Sequence, residues 1–155
     1  MVNDRLALKV PPVLVFGVAL ILIHLGDWWL PASAVELPYR WGVVIGCLLL
    51  SGWLGLSALF TFYRAKTTVN PISPELAATM VTHGVFRLSR NPMYLGLVLI
   101  LIADVYWLGS FIGLIWIIGF VVYMTYFQIM PEERILGARF GEPYQAYLQR
   151  VRRWL

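Results

Sequence analysis

The chain has 155 residues, of which 60% are hydrophobic and 13% are charged, with a formal net charge of +4. Soluble domains carry roughly 25% charged residues, so this composition excludes an ordinary water-soluble domain and indicates an integral membrane protein. The positive charge does not indicate nucleic-acid binding, because the basic residues lie beside apolar segments, where they set topology and attract anionic lipid headgroups. The lone Cys47 predicts neither a disulfide nor a metal site.

Four apolar segments are predicted to cross the bilayer as helices, each close to the required length of about 20 residues. They run approximately over residues 13–30, 41–63, 92–108 and 111–130. The third and fourth are separated only by Gly109 and Ser110, so they are expected to form a tight helical hairpin. In the second, Gly42 and Gly46 lie four residues apart, as do Ser51 and Gly55, and this stripe of small residues predicts a face for close helix packing. His24 in the first is expected to face a neighbouring helix or a backbone carbonyl rather than to carry protons.

Two polar segments complete the chain. The loop over 64–91 contains Pro71 and Pro74, which prevent one continuous helix, and a short helix is expected over 74–81. In the tail over 131–155, apolar and aromatic residues recur at helical spacing between arginines, which predicts amphipathic helices on the membrane surface or capping the bundle. The predicted fold is therefore all-α: one integral membrane domain over 1–155, with about four transmembrane helices and an amphipathic carboxyl-terminal tail.

The distribution of basic residues predicts the topology. With four spans, eleven of the twelve Lys and Arg residues fall on one side of the membrane and Arg40 alone on the other. Basic loops stay in the cytoplasm, so both ends of the chain are expected there, in what is expected to be a bacterial inner membrane. Arg90, before the third span, and the pair Glu132 and Glu133, after the fourth, then share the cytoplasmic face.

These two clusters could form one binding site. Arg90 can hold a carboxylate or phosphate with two hydrogen bonds, Tyr94 offers a ring face and a hydroxyl, and Glu132 or Glu133 can accept hydrogen bonds from an amine or a ribose. A zwitterionic nucleoside such as S-adenosylmethionine matches these groups, and a dinucleotide matches them less well. The alternative is that these are ordinary charges flanking membrane spans.

A pair of motifs resembles the signature of the isoprenylcysteine carboxyl methyltransferase and phospholipid methyltransferase superfamily. The first motif comprises His83, Gly84, Val85, Phe86, Arg90, Asn91, Pro92, Tyr94 and Gly96. The second comprises Glu132, Glu133, Leu136, Phe140, Gly141, Tyr144, Tyr147, Val151, Arg153 and Trp154. The resemblance covers residues 67–155, and the first two spans carry no part of it. Many relatives have His at the position of Asn91, which argues against an acid-base role for that residue here.

The resemblance implies a methyltransferase that binds S-adenosylmethionine in a cytoplasm-facing pocket, releases S-adenosylhomocysteine and needs no metal. The implied cofactor-binding residues are His83, Gly84, Arg90, Asn91, Tyr94, Gly96, Glu132 and Glu133. Arg90, Tyr94 and Glu133 are the implied catalytic residues. The expected acceptor is a lipophilic or membrane-associated molecule: an isoprenylcysteine-like carboxylate, a phospholipid amine or a thiol. Membrane lipids are the expected surroundings, and the oligomeric state is left open.

Two other functions fit parts of the sequence. A membrane reductase that uses NADPH on a sterol-like alkene would share an Asn, Tyr and Gly pattern near a helix start, yet it would require further cations for the 2′-phosphate. A membrane scaffold without enzymatic activity would use the packing glycines but would leave the polar clusters without a role.

Overall fold

The computed structural model describes residues 7–30, 37–65 and 79–155, and every regular element in these ranges is helical. The elements are α1 (Pro12–Trp29), α2 (Arg40–Arg64), a 3₁₀ helix (Gly84–Arg87), α3 (Pro92–Leu108), α4 (Gly113–Tyr123), a π-helix (Met124–Ile129), α5 (Met130–Phe140) and α6 (Glu142–Arg150). The helix expected over 74–81 falls largely outside the described residues.

The observed helices bear out the membrane-protein class. Three are long and apolar enough to cross a bilayer: Pro12–Trp29, Arg40–Arg64, and the continuous rod Gly113–Phe140 that α4, the π-helix and α5 form together. The rod extends ten residues beyond the predicted end of the fourth span. The remaining apolar helix, α3, has 17 residues, so a fourth crossing stays a prediction.

The predicted hairpin between the third and fourth apolar segments is confirmed. α3 ends at Gly109, whose φ of 69° lies in the left-handed region that glycine adopts without strain. The Gly109 N–H donates to the Val105 carbonyl, which closes the last turn of α3. α4 then begins after only three more residues and runs back along α3.

The main core lies where α1, α3 and α4 meet, and α2 packs against the outer side of α3. Core residues include Ile23 of α1, Leu101 of α3 and Phe120 of α4. On α2 the buried residues are Ser51, Leu54, Ala58 and Thr61, which recur at helical spacing. Ser51 donates its hydroxyl to the Gly96 carbonyl at 2.8 Å.

The packing face predicted on α2 is confirmed at Ser51 and is wrong at its glycines. Nothing lies within 4 Å of a Cβ placed at Gly42 or Gly46, so these glycines bring no described helix into close contact. Close approach occurs instead at Gly96 of α3, where a Cβ would lie 3.3 Å from the Ser51 carbonyl oxygen. The glycine that permits packing is therefore on the partner helix, because α2 contacts α3 through Ser51.

The rod stays continuous at Pro131, because the residues before it change their helical winding. Pro131 has no N–H and cannot bond to the carbonyl of Phe127, four residues earlier. The six residues before Met130 take the wider π-helical winding, which is a usual way to accommodate such a defect. The Phe127 carbonyl instead accepts a hydrogen bond from the Leu8 N–H at 3.0 Å. An unpaired carbonyl at membrane depth would cost several kcal/mol, so the segment before α1 completes the rod.

His24 contacts a neighbouring helix, as predicted. Its Nε2 lies 3.2 Å from Asp104 Oδ1 on α3. Asp104 is ten residues beyond Tyr94, or about 15 Å along the helix axis. This pair therefore lies toward the opposite end of α3 from the polar cluster described below.

Gly113→Ala should destabilise the hairpin. A Cβ at Gly113 would lie 2.5 Å from Val105 Cγ2, and Val105 is buried and β-branched, so it cannot rotate away freely. Overpacking of this kind costs about 1–3 kcal/mol, and we expect a lower melting temperature in detergent, measured by circular dichroism.

Gly119→Ala is the matched control, because nothing lies within 4 Å of a Cβ at that position of the same helix. Adding Val105→Ala to Gly113→Ala should recover part of the loss. Equal melting temperatures for the two single variants would contradict the tight contact.

Candidate active site

Polar side chains from three segments converge where α3 and α5 begin. Arg90 lies two residues before α3, and Glu132 and Glu133 lie in the first turn of α5. The third segment, Val151–Leu155, follows α6 and is called the strap below. Pro92 at the first position of α3 leaves no N–H unpaired there, so the helix can begin directly beside the charged residues.

Glu133 is bound by two guanidinium groups. Arg90 Nη1 lies 3.0 Å from Glu133 Oε1. Arg153 of the strap donates twice, from Nε to Oε1 at 3.0 Å and from Nη2 to Oε2 at 2.6 Å. The Arg90 and Glu133 side chains are only 12% and 13% exposed. Water therefore screens this network weakly, and the two-point contact with Arg153 fixes the plane of the carboxylate.

The neighbouring Glu132 has different partners. The Tyr94 hydroxyl donates to Glu132 Oε1 at 2.6 Å, and Gln128 Nε2 donates to the same oxygen. Gln128 lies in the π-helix and is 2% exposed. Among the described residues, no cation contacts Glu132. Both hydrogen bonds go to Oε1, so the second oxygen, Oε2, is available to a ligand.

Backbone and side-chain hydrogen bonds hold the strap beside the cluster. The Arg90 N–H donates to the Arg152 carbonyl at 3.1 Å, and Asn91 Nδ2 donates to the Arg153 carbonyl at 2.9 Å. The Trp154 indole N–H donates to Thr125 Oγ1 of the π-helix at 3.1 Å. The strap therefore bridges the beginning of α3 and the rod.

α6 closes the same end of the bundle. Its Tyr147 hydroxyl donates to the Phe86 carbonyl of the 3₁₀ helix at 2.7 Å. Burial raises the pKa of Tyr147 to about 12, so the phenol keeps the proton that it donates. Burial and the negative charge of Glu133 also raise the pKa of Tyr144. The hydrogen bond to Glu133 raises the pKa of Arg153, which stays a cation at any working pH.

The structure brings four of the eight predicted site residues together, namely Arg90, Tyr94, Glu132 and Glu133. Asn91 lies at the edge of this group and holds the strap. Gly96 faces α2. His83 and Gly84 are exposed, and Gly84 lies beside Thr61 of α2. A role for these last three in cofactor binding stays a prediction.

Sequence reasoning did not single out Gln128 and assigned Arg153 no specific contact. Gln128 precedes Glu132 by four residues, a spacing that brings two side chains onto one helical face. This contact could therefore have been predicted from the sequence. Arg153 is 20 residues from Glu133 and is one of several arginines in a basic tail. The second motif of the resemblance contains Arg153 and neither Arg150 nor Arg152, yet it names no contact for Arg153, because the contact depends on how α6 folds back.

Two features of the cluster fit a zwitterionic cofactor such as S-adenosylmethionine. The Arg90 Nε atom is buried and has no hydrogen-bond partner among the described residues. Its N–H can therefore donate to an anionic group of a ligand. Glu132, which no described cation neutralises, can accept from an ammonium or a ribose hydroxyl. A ligand with a carboxylate and an amine could accept a hydrogen bond from Arg90 Nε and donate one to Glu132. In the described residues, no group of three or more His, Cys, Asp or Glu side chains could hold a metal ion.

Comparison with known proteins places these observations in a class, the membrane methyltransferases. Residues 40–143 match the model of the phospholipid methyltransferase family, and the chain belongs to this family. The match contains Arg90, Tyr94, Glu132 and Glu133, and it ends before the strap. No solved structure matches the chain.

A relative from Haemophilus influenzae is described only as an uncharacterized protein. It is 46% identical to this chain over 63 residues, which span 41% of this chain and all of the relative.

Tyr147→Phe should loosen the packing of α6. The change removes the hydroxyl and leaves the Phe86 carbonyl without that donor, at a cost of about 1–3 kcal/mol. Urea unfolding in detergent micelles should show a lower midpoint. Tyr63→Phe is the control, since Tyr63 is 80% exposed. An unchanged midpoint for Tyr147→Phe would mean that α6 does not depend on this bond.

Proposed function

We propose that this protein transfers a methyl group from S-adenosylmethionine to a lipophilic or membrane-associated acceptor at the cytoplasmic face of the membrane. Family membership supports methyl transfer. The observation that carries the proposal for the cofactor is the pairing of a buried, unpartnered Arg90 Nε with an uncompensated Glu132 in one cluster. These are the two charges that a zwitterion requires.

Each residue of the cluster would have a distinct part in binding. Arg90 Nε would donate to the carboxylate of the cofactor. Glu132 would accept from its ammonium or ribose through Oε2, while Tyr94 and Gln128 hold the other oxygen in place. Because these partners fix Glu132 before the ligand arrives, little side-chain entropy is lost on binding.

The chemistry would depend mainly on alignment. S-adenosylmethionine supplies an already activated methyl group, so the protein has to orient an acceptor for in-line transfer and exclude water. The hydrophobic helices around the cluster exclude water and give access from the lipid phase. A carboxylate or thiolate acceptor would need no base, whereas an ammonium would first have to lose a proton.

The proposed location follows from the basic residues. Both ends of the chain would lie in the cytoplasm, which places the cluster where S-adenosylmethionine is made, and the membrane would be a bacterial inner membrane. The cluster lies at one end of the bundle, beside α5, α6 and the strap with Arg152 and Arg153. This arrangement supports an acceptor that enters from the cytoplasmic leaflet.

An NADPH-dependent reductase is less well supported. A 2′-phosphate requires cations that are not already neutralised. Both arginines of the described cluster contact Glu133, so these three groups keep one net positive charge, which balances a carboxylate but not a doubly charged phosphate. A scaffold without enzymatic activity would leave unexplained why a membrane protein buries an unpartnered guanidinium N–H, which is costly.

Isothermal titration of the protein in detergent should show binding of S-adenosylhomocysteine and none of NADPH. Arg90→Ala should weaken the affinity by about tenfold or more, the effect of losing one charge-assisted hydrogen bond. Arg150→Ala removes an exposed arginine from α6 and is the matched control. Cys47→Ala should also bind normally. Binding of NADPH alone would refute the methyltransferase proposal.

The acceptor class can be found directly. Protein incubated with S-adenosylmethionine carrying a radiolabelled methyl group and with native membrane extract should transfer label to a lipophilic product. Extraction into organic solvent and thin-layer chromatography separate lipid from protein and from small thiols. Arg90→Ala should reduce the incorporation by about tenfold or more, for the same reason as above. Label found only in water-soluble products would contradict a lipophilic acceptor.

A further inference from the structure

The two adjacent glutamates differ in how many of their oxygens are occupied. Glu133 accepts hydrogen bonds from Arg153 on both oxygens and forms an ion pair with Arg90 through one of them. Glu132 accepts on one oxygen only, and from neutral donors. A ligand that needed Glu133 would have to displace a guanidinium, whereas Glu132 can be reached without breaking an ion pair.

The occupancy of Glu133 also determines what Arg90 can do. A guanidinium normally binds a carboxylate with two parallel hydrogen bonds, commonly from Nε and one Nη. Here Arg153 makes that two-point contact, and Arg90 reaches Glu133 only through Nη1. Arg90 Nε is therefore left without a partner although it is buried.

The strap that carries Arg153 is fixed on both sides of that residue. The Arg152 carbonyl accepts from the Arg90 N–H, and the Trp154 indole donates to Thr125 and packs against the main core. The Arg153 carbonyl itself accepts from Asn91. With its backbone held at these points, Arg153 can present its guanidinium to Glu133 in one orientation.

We propose that Arg153 is a positioning residue of the cofactor site: by occupying both oxygens of Glu133 it prevents Arg90 from doing so and keeps Arg90 Nε free for the ligand. Glu133 is then part of the frame of the site rather than a direct ligand, and Glu132 is the carboxylate that meets the cofactor. This inference rests on the proposed function, and it adds to the site a residue outside the family match at 40–143.

The inference predicts how variants combine. In Arg153→Gln, Arg90 can turn both Nε and Nη1 onto Glu133, so affinity for S-adenosylhomocysteine should fall by about tenfold, the effect of losing one charge-assisted bond. Arg153→Lys should restore part of it, since an ammonium neutralises Glu133 but cannot bridge both oxygens. In a Glu133→Gln background, Arg153→Gln should have no further effect, because Arg153 acts through Glu133.

Titration calorimetry of these variants in detergent tests the inference, with Arg150→Gln as control. Arg150 is exposed and hydrogen-bonds within its own helix to the Ala146 carbonyl. Wild-type affinity in Arg153→Gln, or equal losses with and without Glu133, would overturn the positioning role. A wild-type protein that binds no S-adenosylhomocysteine would overturn the proposed function, and the inference with it.

Hydrogen exchange gives a second readout that needs no ligand. The Arg90 amide is protected by the Arg152 carbonyl. If the strap stays docked in Arg153→Gln, this amide should exchange as in the wild type while affinity falls, which separates positioning from simple loss of the strap. Faster exchange at Arg90, with affinity falling equally in Arg153→Gln and Arg153→Lys, would mean that Arg153 only anchors the strap, and would overturn the proposal.

Discussion

The packing of this end of the molecule depends on the ion pairs that the Glu133 carboxylate makes with Arg90 and Arg153. The carboxylate joins the beginning of α3, the beginning of α5 and the strap, three segments far apart in sequence, through Arg90 and Arg153. Removing one partner of a buried ion pair costs about 3–5 kcal/mol, because the other charge is left uncompensated. The three charges are therefore coupled: each is tolerated at low exposure only while the others are in place. Such a network fixes orientation more than it adds net stability.

The bilayer imposes the second constraint. Backbone groups at membrane depth must be paired within the protein, and Pro131 would otherwise leave the Phe127 carbonyl open. The π-helix and the Leu8 N–H remove that defect, so the rod continues past the apolar region without a break. As a result, Glu132 and Glu133 stand on a rigid helix, and Gln128 and Thr125 of the π-helix face Glu132 and the strap. A π-helical segment thus lies beside the polar cluster, and such segments are frequent at functional sites.

Helical geometry explains why neighbouring glutamates can differ in function. Successive residues on a helix point about 100° apart, so Glu132 turns toward Tyr94 of α3 while Glu133 turns toward Arg90 and the strap. One carboxylate is neutralised by two cations, and the other is held by neutral donors. Acid, base and ligand roles commonly divide in this way when two carboxylates share a site but have different environments. In the proposed function, the division would direct a zwitterion to Glu132 and Arg90.

The sequence by itself determined the class of the protein, three of its apolar helices within about a residue at each end and the hairpin at Gly109. It also named the four residues that the structure brings together, Arg90, Tyr94, Glu132 and Glu133. Hydrophobic length and glycine chemistry are local properties, and the motif residues lie close to helix starts that proline marks. The tertiary structure alone decided which part of the small-residue stripe on α2 is packed, since Gly42 and Gly46 stay unpacked and Ser51 meets Gly96. It alone also showed that Arg153, a residue of the second motif, contacts Glu133. A contact across 20 residues depends on how α6 and the strap fold back, and no local pattern in the sequence encodes that return.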